Sequence, residues 1–236
     1  MTPMSTAPRS QRLDLLASDL HAIGLGAGEG ASLITPALLT RLLEYAEFLQ
    51  RWNARIRLVG PSDLDTIVRE QLVDACGFAL AIAALDAPHL IDVGAGGGLP
   101  GIPLAVMFPD RDVLHVEPIH KKTAFLAQAA QALALTNTRV HTGRAEPDGR
   151  FLPPLRQPLS NPPYLALSRA TLAPSAWLQT AKNLVGHGGL VVIAIAGEDT
   201  LPRDVTDDPE STEVGRWTYT VPATRAPRTL VARRTL

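Results

Sequence analysis

Two hydrophobic periodicities divide the chain near residue 87. Before that point, apolar residues recur at helical spacing in three stretches, for which Ser10, Thr35 and Ser62 are the expected N-caps; Gly24 is expected to end the first helix. The apolar stripes are Leu13, Leu16, Leu20 and Ile23, then Leu42, Tyr45, Leu49, Trp52 and Ile56, then Leu72, Cys76, Ala79 and Leu85. Beyond residue 87, short apolar runs alternate with helical patterns, which is typical of a parallel sheet covered by helices on both faces.

The alternating part predicts five parallel strands and an edge hairpin. We expect strands near 89–93, 112–117, 138–142, 164–168 and 189–195, with helices near 101–108, 120–134 and 174–185. Two more strands, 217–221 and 229–233, would form an antiparallel hairpin at the edge of the sheet. The proline-rich residues 147–163 and the acidic residues 198–213 are expected to be surface connections.

These patterns predict one main domain with a helical extension. We expect residues 1–9 to be disordered, residues 10–86 to form a helical segment that packs on the main domain, and residues 87–236 to form that domain. No apolar run is long enough for a membrane span, and the first residues lack the apolar core of a signal peptide. We therefore expect a cytoplasmic protein without a membrane partner, and a monomer.

Cysteine, histidine and charge content exclude some function classes. Cys76 is the only cysteine, and the six histidines are not at metal-ligand spacing, so we expect neither a disulfide nor a metal site. The net charge is −1, but residues 198–213 carry −6 and the rest of the chain therefore carries +5. Nineteen of the 22 basic residues are arginine, which suits phosphate contacts, although an ordinary solvated arginine surface would look the same.

A glycine-rich turn follows the first buried strand. Residues 94–101 read Gly-Ala-Gly-Gly-Gly-Leu-Pro-Gly, and glycines remove the Cβ atoms that would keep a ligand away from the backbone. A dinucleotide-binding turn needs a third glycine at position 99, which is Leu99. The alternate glycines Gly94, Gly96 and Gly98 after Asp92 instead match the S-adenosylmethionine turn of Rossmann-like methyltransferases. The motif therefore predicts S-adenosylmethionine as the cofactor.

The end of the next strand supplies the second part of such a site. Glu117 lies 19 residues after Gly98, where an acidic side chain can accept hydrogen bonds from the ribose hydroxyls of a nucleoside. Arg169 follows the fourth predicted strand at the same edge of the sheet and is a candidate site residue, with a structural salt bridge as the alternative. Asn161-Pro-Pro-Tyr164 has the form of a motif of amine and amide methyltransferases, but the apolar run follows it here instead of preceding it.

Together these residues resemble the RsmG (also called GidB) family, bacterial methyltransferases of a guanine ring nitrogen, N7, in 16S ribosomal RNA. The resemblance extends over roughly residues 40 to 236. It rests on the run Asp92-Val-Gly-Ala-Gly-Gly-Gly-Leu-Pro-Gly-Ile-Pro-Leu-Ala105, on Glu117-Pro-Ile-His-Lys-Lys-Thr-Ala-Phe-Leu126, and on Gly143-Arg-Ala-Glu146, Ser168-Arg-Ala170 and Trp52-Asn53. It implies an α/β, Rossmann-like class I methyltransferase fold with a mostly parallel seven-stranded sheet and helices on both faces.

The resemblance also implies site residues and partners. Cofactor contacts are expected from Gly94 and Leu99 in the turn, from Ala145 and Glu146 after the third strand, and from Arg169. The implied partner is 16S ribosomal RNA or a small-subunit particle. Because guanine N7 carries a free lone pair and no proton, its methylation needs no general base, and we expect no catalytic acid–base residue.

This chain departs from the family pattern at several positions. Arg57-Leu-Val59 stands where the family usually has Asn-Leu-Thr, Glu70-Gln71 replaces Arg-His, and Ala196 replaces a lysine after the fifth strand. These departures affect the expected identity of the substrate more than that of the methyl donor. Two alternatives therefore stay open: a methyltransferase of a small molecule, amine or amide that uses Asn161-Pro-Pro-Tyr164, and a homologue that binds S-adenosylmethionine without catalysis.

Overall fold

The computed structural model describes residues 7–26, 34–155, 162–169, 172–197 and 201–236. The predicted disordered N-terminus lies outside the described residues except for positions 7–9, as do Asn161 and Ala170 of the two motifs. The helices are α1 Arg9–Ala22, α2 Pro36–Asn53, α3 Leu64–Thr66, α4 Val73–Cys76, α5 Ala79–Ala84, α6 Gly101–Met107, α7 His120–Ala132, α8 Pro174–Val185 and α9 Arg203–Thr206. The strands are β1 His89–Val93, β2 Asp112–Glu117, β3 Thr138–Thr142, β4 Arg144–Ala145, β5 Phe151–Leu152, β6 Tyr164–Leu167, β7 Leu190–Ala196, β8 Ser211–Val221 and β9 Ala226–Thr235.

Seven strands form one sheet in the order β3-β2-β1-β6-β7-β9-β8. The first five are parallel, and β9 and β8 add an antiparallel hairpin at the edge, which confirms the predicted fold class and hairpin. The hairpin strands are longer than predicted, because β8 and β9 pair from Ser211 opposite Thr235 through to Val221 opposite Ala226. The two-residue strands β4 and β5 pair separately and were not predicted.

Helices cover both faces of this sheet. One face packs against α1, α2, α6 and α7, and the buried side chains of the N-terminal helices belong to the same core as Leu90 and Val113 of the sheet. The other face, which includes Ile91 and Val191, packs against α8. Alternate residues of β1 therefore enter different cores, as expected for a strand that is buried on both sides.

The N-terminal helices begin partly where the sequence predicts. Thr35 caps α2 by accepting a hydrogen bond from the backbone N–H of Leu38, as predicted. The other two N-cap predictions were wrong. Helix α1 begins one residue before Ser10, after Pro8, whose ring fixes the entering backbone, and Asp63 instead of Ser62 caps α3 by accepting from Thr66.

The predicted third helix is interrupted. A six-residue π-helix, Ile67–Leu72, joins α3 to α4, and a turn at Gly77 separates α4 from α5. A Cβ atom on Gly77 would lie 2.3 Å from the ring of Tyr219, so the turn is where strand β8 packs against this segment. The interruption therefore lies beside a contact with a residue 142 positions away in the chain, which a local pattern does not contain.

Candidate functional site

A cavity of about 430 Å³ opens at the carboxyl ends of β1, β2 and β6. Five predicted site residues from three segments line it: Gly94, Gly96 and Leu99 in the turn, Glu117 at the end of β2, and Arg169 after β6. The cavity lies where ligands bind in open α/β sheets, at the point where the strand order reverses. Its remaining lining residues are Leu58, Val59, Ala95, Gly97, Pro118, Ile119 and Lys122.

The turn holds its shape through backbone contacts to the sheet and to helix α6. The N–H groups of Gly94 and Ala95 both donate to the carbonyl of Val116 at the end of β2, at 2.8 and 3.1 Å. Gly94 and Gly96 have φ values of 75° and 54°, which lie in the left-handed region that favours glycine. A Cβ atom built on Gly96 would meet nothing closer than the Gly94 carbonyl at 3.7 Å. A ligand can therefore lie directly against the backbone at this position.

Two buried side chains support the turn from below. Asp92 at the end of β1 accepts a hydrogen bond from the N–H of Gly101 at 3.1 Å, and thereby holds the start of α6. A Cβ atom on Gly101 would lie 2.5 Å from that carboxylate, which explains the glycine. Tyr45 in α2 donates its hydroxyl proton to the carbonyl of Gly97, and burial raises the pKa of Tyr45, so the hydroxyl stays protonated.

Tyr45 was not identified as a site residue from the sequence. It was assigned only to the apolar stripe of α2. The available signal was its hydroxyl, because a tyrosine on a fully buried stripe needs a polar partner for that group.

Glu117 is buried, and its carboxylate faces the glycine turn. One oxygen accepts from the N–H of Gly96 at 2.9 Å, and the other accepts from the N–H of Ile119 at 3.0 Å. These bonds fix the carboxylate with 3% of the residue exposed. Each carboxylate oxygen can accept two hydrogen bonds, so capacity is left for the hydroxyls of a sugar.

Arg169 lines the cavity and is also held by the N-terminal segment. Its guanidinium donates to the main-chain carbonyl of Gln71 at 3.1 Å and to the side-chain oxygen of Gln71 at 2.8 Å. The carboxylate of Asp74 lies 3.5 Å away and also accepts from Arg228 at 2.9 Å. Arg169 therefore combines the two predicted roles: it lines the site, and it makes a structural ion pair.

Two of the departures from the family pattern, at Gln71 and Ala196, fall around this ion pair. Gln71 itself binds Arg169, and Ala196, at the end of β7, lies opposite Arg228 in the β7–β9 register. A cation therefore stands next to the position where the family usually has lysine. The hydroxyl of Tyr219 also lies 2.9 Å from the Asp74 carbonyl and 3.0 Å from its carboxylate, so the edge hairpin reaches the same cluster.

Two predicted cofactor residues, Ala145 and Glu146, do not line this cavity. Ala145 pairs with Phe151 in the small β4–β5 sheet, and Glu146 lines a different cavity of about 620 Å³ with residues 147–152, 154 and 155. A third cavity, of about 870 Å³, lies beside β3 and is lined in part by residues 153–155. Both larger cavities are lined in part by Pro154 and Leu155.

Tyr164 of the Asn161-Pro-Pro-Tyr164 motif lies at the opposite edge of the sheet. It is the first residue of β6, pairs with His89 at the start of β1, and its ring centroid lies 5.7 Å from that of His89. Parallel strands begin at one edge and end at the other, so Tyr164 is separated from the cavity by the length of the strand. The motif therefore places no tyrosine in the site.

The titratable side chains that line the cavity are few. Among the described lining residues they are Glu117, Lys122 and Arg169, with no histidine or cysteine. The buried thiol of Cys76 lies elsewhere, and burial raises its pKa. In the described ranges no group of three or more histidine, cysteine, aspartate or glutamate side chains could hold a metal ion, and no helix is long and apolar enough to cross a membrane.

Comparison with known proteins gives one family. The model of the family described as rRNA small subunit methyltransferase G (GidB) matches residues 38–227. A ribosomal RNA small subunit methyltransferase G from Hydrogenovibrio crunogenus is 43% identical over 107 residues, which cover 45% of this chain and 48% of that protein. The protein of the same name from Burkholderia multivorans is 32% identical over 169 residues, which cover 69% and 71%.

These matches differ in how much of each relative they span. For three relatives with stronger matches, from Hydrogenovibrio crunogenus, Herminiimonas arsenicoxydans and Ralstonia nicotianae, the chain spans 48%, 60% and 51% of their length. The chain thus spans about half to three fifths of the length of these relatives.

Solved structures show the same fold. The O-methyltransferase TomG from Streptomyces achromogenes, solved in complex with SAM, superposes with a TM-score of 0.55 at 17% identity, covering 83% of this chain and 90% of that one. A Burkholderia thailandensis 1,6-didemethyltoxoflavin-N1-methyltransferase gives 0.51 at 15% identity, with 86% and 91% covered. At these identities the comparison establishes the Rossmann-like class I methyltransferase fold.

Proposed function

Because the chain belongs to the rRNA small subunit methyltransferase G family, we propose that it transfers a methyl group from S-adenosylmethionine to N7 of a guanine in 16S ribosomal RNA. The observation that carries the proposal is the meeting of bare glycine backbone and a buried carboxylate in one cavity. Gly96 leaves open space where a side chain would stand, and Glu117 is fixed beside it. These residues fit a nucleoside cofactor, with the ribose against Glu117 and the rest of the molecule along the turn.

In this proposal, S-adenosylmethionine supplies an electrophilic methyl group on a sulfonium. The protein contributes binding and alignment, since the guanine N7 lone pair lies in the plane of the base and carries no proton. The absence of a histidine or cysteine among the described lining residues is compatible with such a reaction. Gly94, Gly96, Leu99 and Glu117 would bind the cofactor, and Arg169, which is fixed by Gln71, would face the crevice between cofactor and substrate.

Basic residues on two adjoining helices support an RNA substrate; Arg51, Arg55 and Lys121 are exposed, and Lys122 is half-buried. Arg51 and Arg55 lie at the end of α2, and Lys121 and Lys122 lie at the start of α7, next to the lining residue Ile119. The two helices contact each other through the rings of Phe48, Trp52 and Phe125. Lys122 itself lines the cavity, and we infer that the basic side chains of both helices would form a border of phosphate contacts beside it. Arg144 is exposed after β3 and would extend this border.

The target guanine would have to be accessible at its N7 edge. In A-form RNA this edge faces a major groove that is too narrow for side chains, so the guanine should lie in a loop or be unstacked in a ribosomal particle. Acting on ribosomal RNA would place the protein in the cytoplasm. Ala145 and Glu146 would enter the cofactor site only if the residues after β3 approach the cavity when the cofactor binds.

The test is a labelling experiment with substrates compared side by side. The protein is incubated with tritiated S-adenosylmethionine and deproteinised 16S RNA, 30S subunits that lack the modification, or a small-metabolite extract. We expect label in RNA, recovered after nuclease digestion as 7-methylguanosine. Label only in the metabolite extract would contradict the RNA assignment, and cofactor binding without transfer to any fraction would favour the non-catalytic homologue.

A further inference from the structure

Part of the cavity wall comes from outside the sheet. Leu58 and Val59, in the loop between α2 and α3, line the cavity together with the glycine turn. The contact is close, because a Cβ atom on Gly97 would lie 3.4 Å from the Cβ atom of Leu58 and 3.5 Å from its carbonyl oxygen. The loop therefore rests on the turn, and its position sets the width of the cavity at that side.

One side chain holds this loop. The side-chain oxygen of Asn53, the last residue of α2, accepts from the N–H of Leu58 at 2.8 Å and from the N–H of Val59 at 3.0 Å. Its amide nitrogen donates to the carbonyl of Pro61 at 2.7 Å. These partners determine the orientation of the amide group. In the flipped orientation the amide NH2 would face the N–H groups of Leu58 and Val59, and the amide oxygen would face the carbonyl of Pro61.

The same helix supports the glycine turn from beneath. Tyr45 donates to the carbonyl of Gly97, and Leu49 packs where a Cβ atom on Gly97 would stand, at 3.3 Å. Tyr45, Leu49 and Asn53 are four residues apart, so they lie along one face of α2. One rigid helix thereby fixes both the turn and the loop that covers it.

We propose that Asn53 is a positioning residue for cofactor binding: it holds Leu58 and Val59 as the apolar wall that faces the ligand above the glycine turn. The proposal rests on the function proposed above, because it assigns the ligand as S-adenosylmethionine or its product S-adenosylhomocysteine. An apolar wall of this kind contributes by removing the flat, weakly polar parts of the ligand from water. The N-terminal segment would then complete the cofactor site instead of only packing beside it.

The test compares S-adenosylhomocysteine affinity, measured by titration calorimetry, in matched variants. Asn53→Ala loses all three loop bonds and should raise the dissociation constant about fivefold or more, which corresponds to the loss of about one well-formed interaction. Asn53→Asp keeps an acceptor for both N–H groups but sets a carboxylate oxygen against the Pro61 carbonyl, so its affinity should lie between those of Asn53→Ala and the original protein. Gln50→Ala is the matched control, because Gln50 contacts the same loop at Ser62, away from the cavity, and should bind normally.

A kinetic measurement separates positioning from general damage. With an RNA substrate, Asn53→Ala should raise KM for S-adenosylmethionine about fivefold while kcat stays within about twofold, because the reacting atoms are not touched. Equal affinity loss in Asn53→Ala and Gln50→Ala, or normal affinity in an Asn53→Ala protein that melts at lower temperature, would overturn the proposal. If Asn53→Ala does not fold, the double variant Leu58→Ala/Val59→Ala decides, and unchanged affinity there refutes the wall. Failure of the unaltered protein to bind the ligand would instead refute the proposed function.

Discussion

Gly96 and Gly98 lie two positions apart in the same turn, and glycine has a different effect at each of them. At Gly96 a Cβ atom would point into open space beside Glu117. At Gly98 it would lie 2.6 Å from a side-chain carbon of Ile102 and 3.1 Å from Leu126. The first position therefore matters for what binds to the turn, and the second matters for how α6 and α7 pack beneath it.

The two glycines should respond differently to alanine. Gly96→Ala places a methyl group in the cavity and strains a φ of 54° by about 1 kcal/mol, so we expect a large loss of S-adenosylhomocysteine affinity with a small loss of stability. Gly98→Ala combines strain with a clash and should lower the free energy of unfolding by about 2 to 4 kcal/mol. Calorimetric binding and urea unfolding of both variants check this. Gly96→Ala with normal affinity would argue that no ligand lies against Gly96.

At the scale of elements, the edge hairpin and the N-terminal segment meet at Asp74 and Gly77. Tyr219 of β8 packs its ring on Gly77, and its hydroxyl lies within hydrogen-bonding distance of Asp74. Arg228 of β9 binds the same carboxylate, which also faces Arg169 beside the cavity. Burial, followed by the neighbouring Asp74 carboxylate, raises the pKa of Tyr219, so the hydroxyl stays protonated and able to donate.

Substitutions at this junction should separate packing from hydrogen bonding. Tyr219→Phe keeps the ring on Gly77 and loses only the hydroxyl, so we expect a cost of about 1 kcal/mol in urea unfolding. Gly77→Ala forces a methyl group to within 2.3 Å of the ring and should cost about 1 to 3 kcal/mol. Thr218→Ala, at an exposed neighbouring position of β8, serves as the control. A Gly77→Ala protein as stable as the control would contradict the observed contact.

The apolar runs in the sequence predicted the parallel strands directly, but they did not predict the junction at Asp74 and Gly77. Strands β1, β2 and β3 have the predicted limits because each is a run of apolar or β-branched residues between turn signals. The π-helix Ile67–Leu72 has no such signal, since its apolar spacing looks like that of an α-helix. Arg169 binds Gln71 in that segment, and Tyr219 binds Asp74 just after it, and both partners are distant in sequence.

At the scale of the molecule, the acidic stretch 198–213 is partly a buried ion site. Most of its residues from 201 onward are exposed, as predicted, but they include α9 and the start of β8, which were not predicted. Lys182 of α8 donates to Asp208 and to Glu210, each at 2.7 Å, and the side chain of Asp208 is only 4% exposed. Arg233 of β9 donates to main-chain and side-chain oxygens of Ser211 beside it. The carboxylates of this stretch thus connect α8 to the start of the hairpin through ion pairs.

This site predicts a pH dependence of stability. Burial alone would raise the pKa of Asp208, but hydrogen bonds from Lys182 and Ser211 outweigh burial and lower the pKa below its ordinary value. A carboxyl group whose folded-state pKa is lowered stabilises the fold above the unfolded pKa of about 4, and that contribution is lost as the pH falls through the folded value. For Lys182, burial acts to lower the pKa, but the two carboxylates raise it overall, so its contribution is lost only as the pH rises above about 10.4.

The measurement is urea unfolding of Asp208→Asn between pH 2 and 8. We expect the variant to be about 2 kcal/mol less stable than the original protein at pH 7, with the difference shrinking as the pH falls below about 4. Asp148→Asn is the control, because Asp148 pairs with Arg150 in solvent and should change little at any pH. A difference at Asp208 that does not vary with pH would show that the pair does not carry the effect.

The sequence by itself determined the layered sheet, its hairpin edge, and the glycine turn with Glu117, because periodicity and motif spacing are local and the carboxyl ends of neighbouring parallel strands must lie at one edge. Only the tertiary structure decided that Ala145 and Glu146 line no part of that cavity, that Tyr164 lies at the opposite edge, and that Asn53 places Leu58 and Val59 over the turn. These positions depend on which distant segments pack together. Residues that packing brings into contact have no regular spacing along the chain, so no sequence pattern indicates the contact.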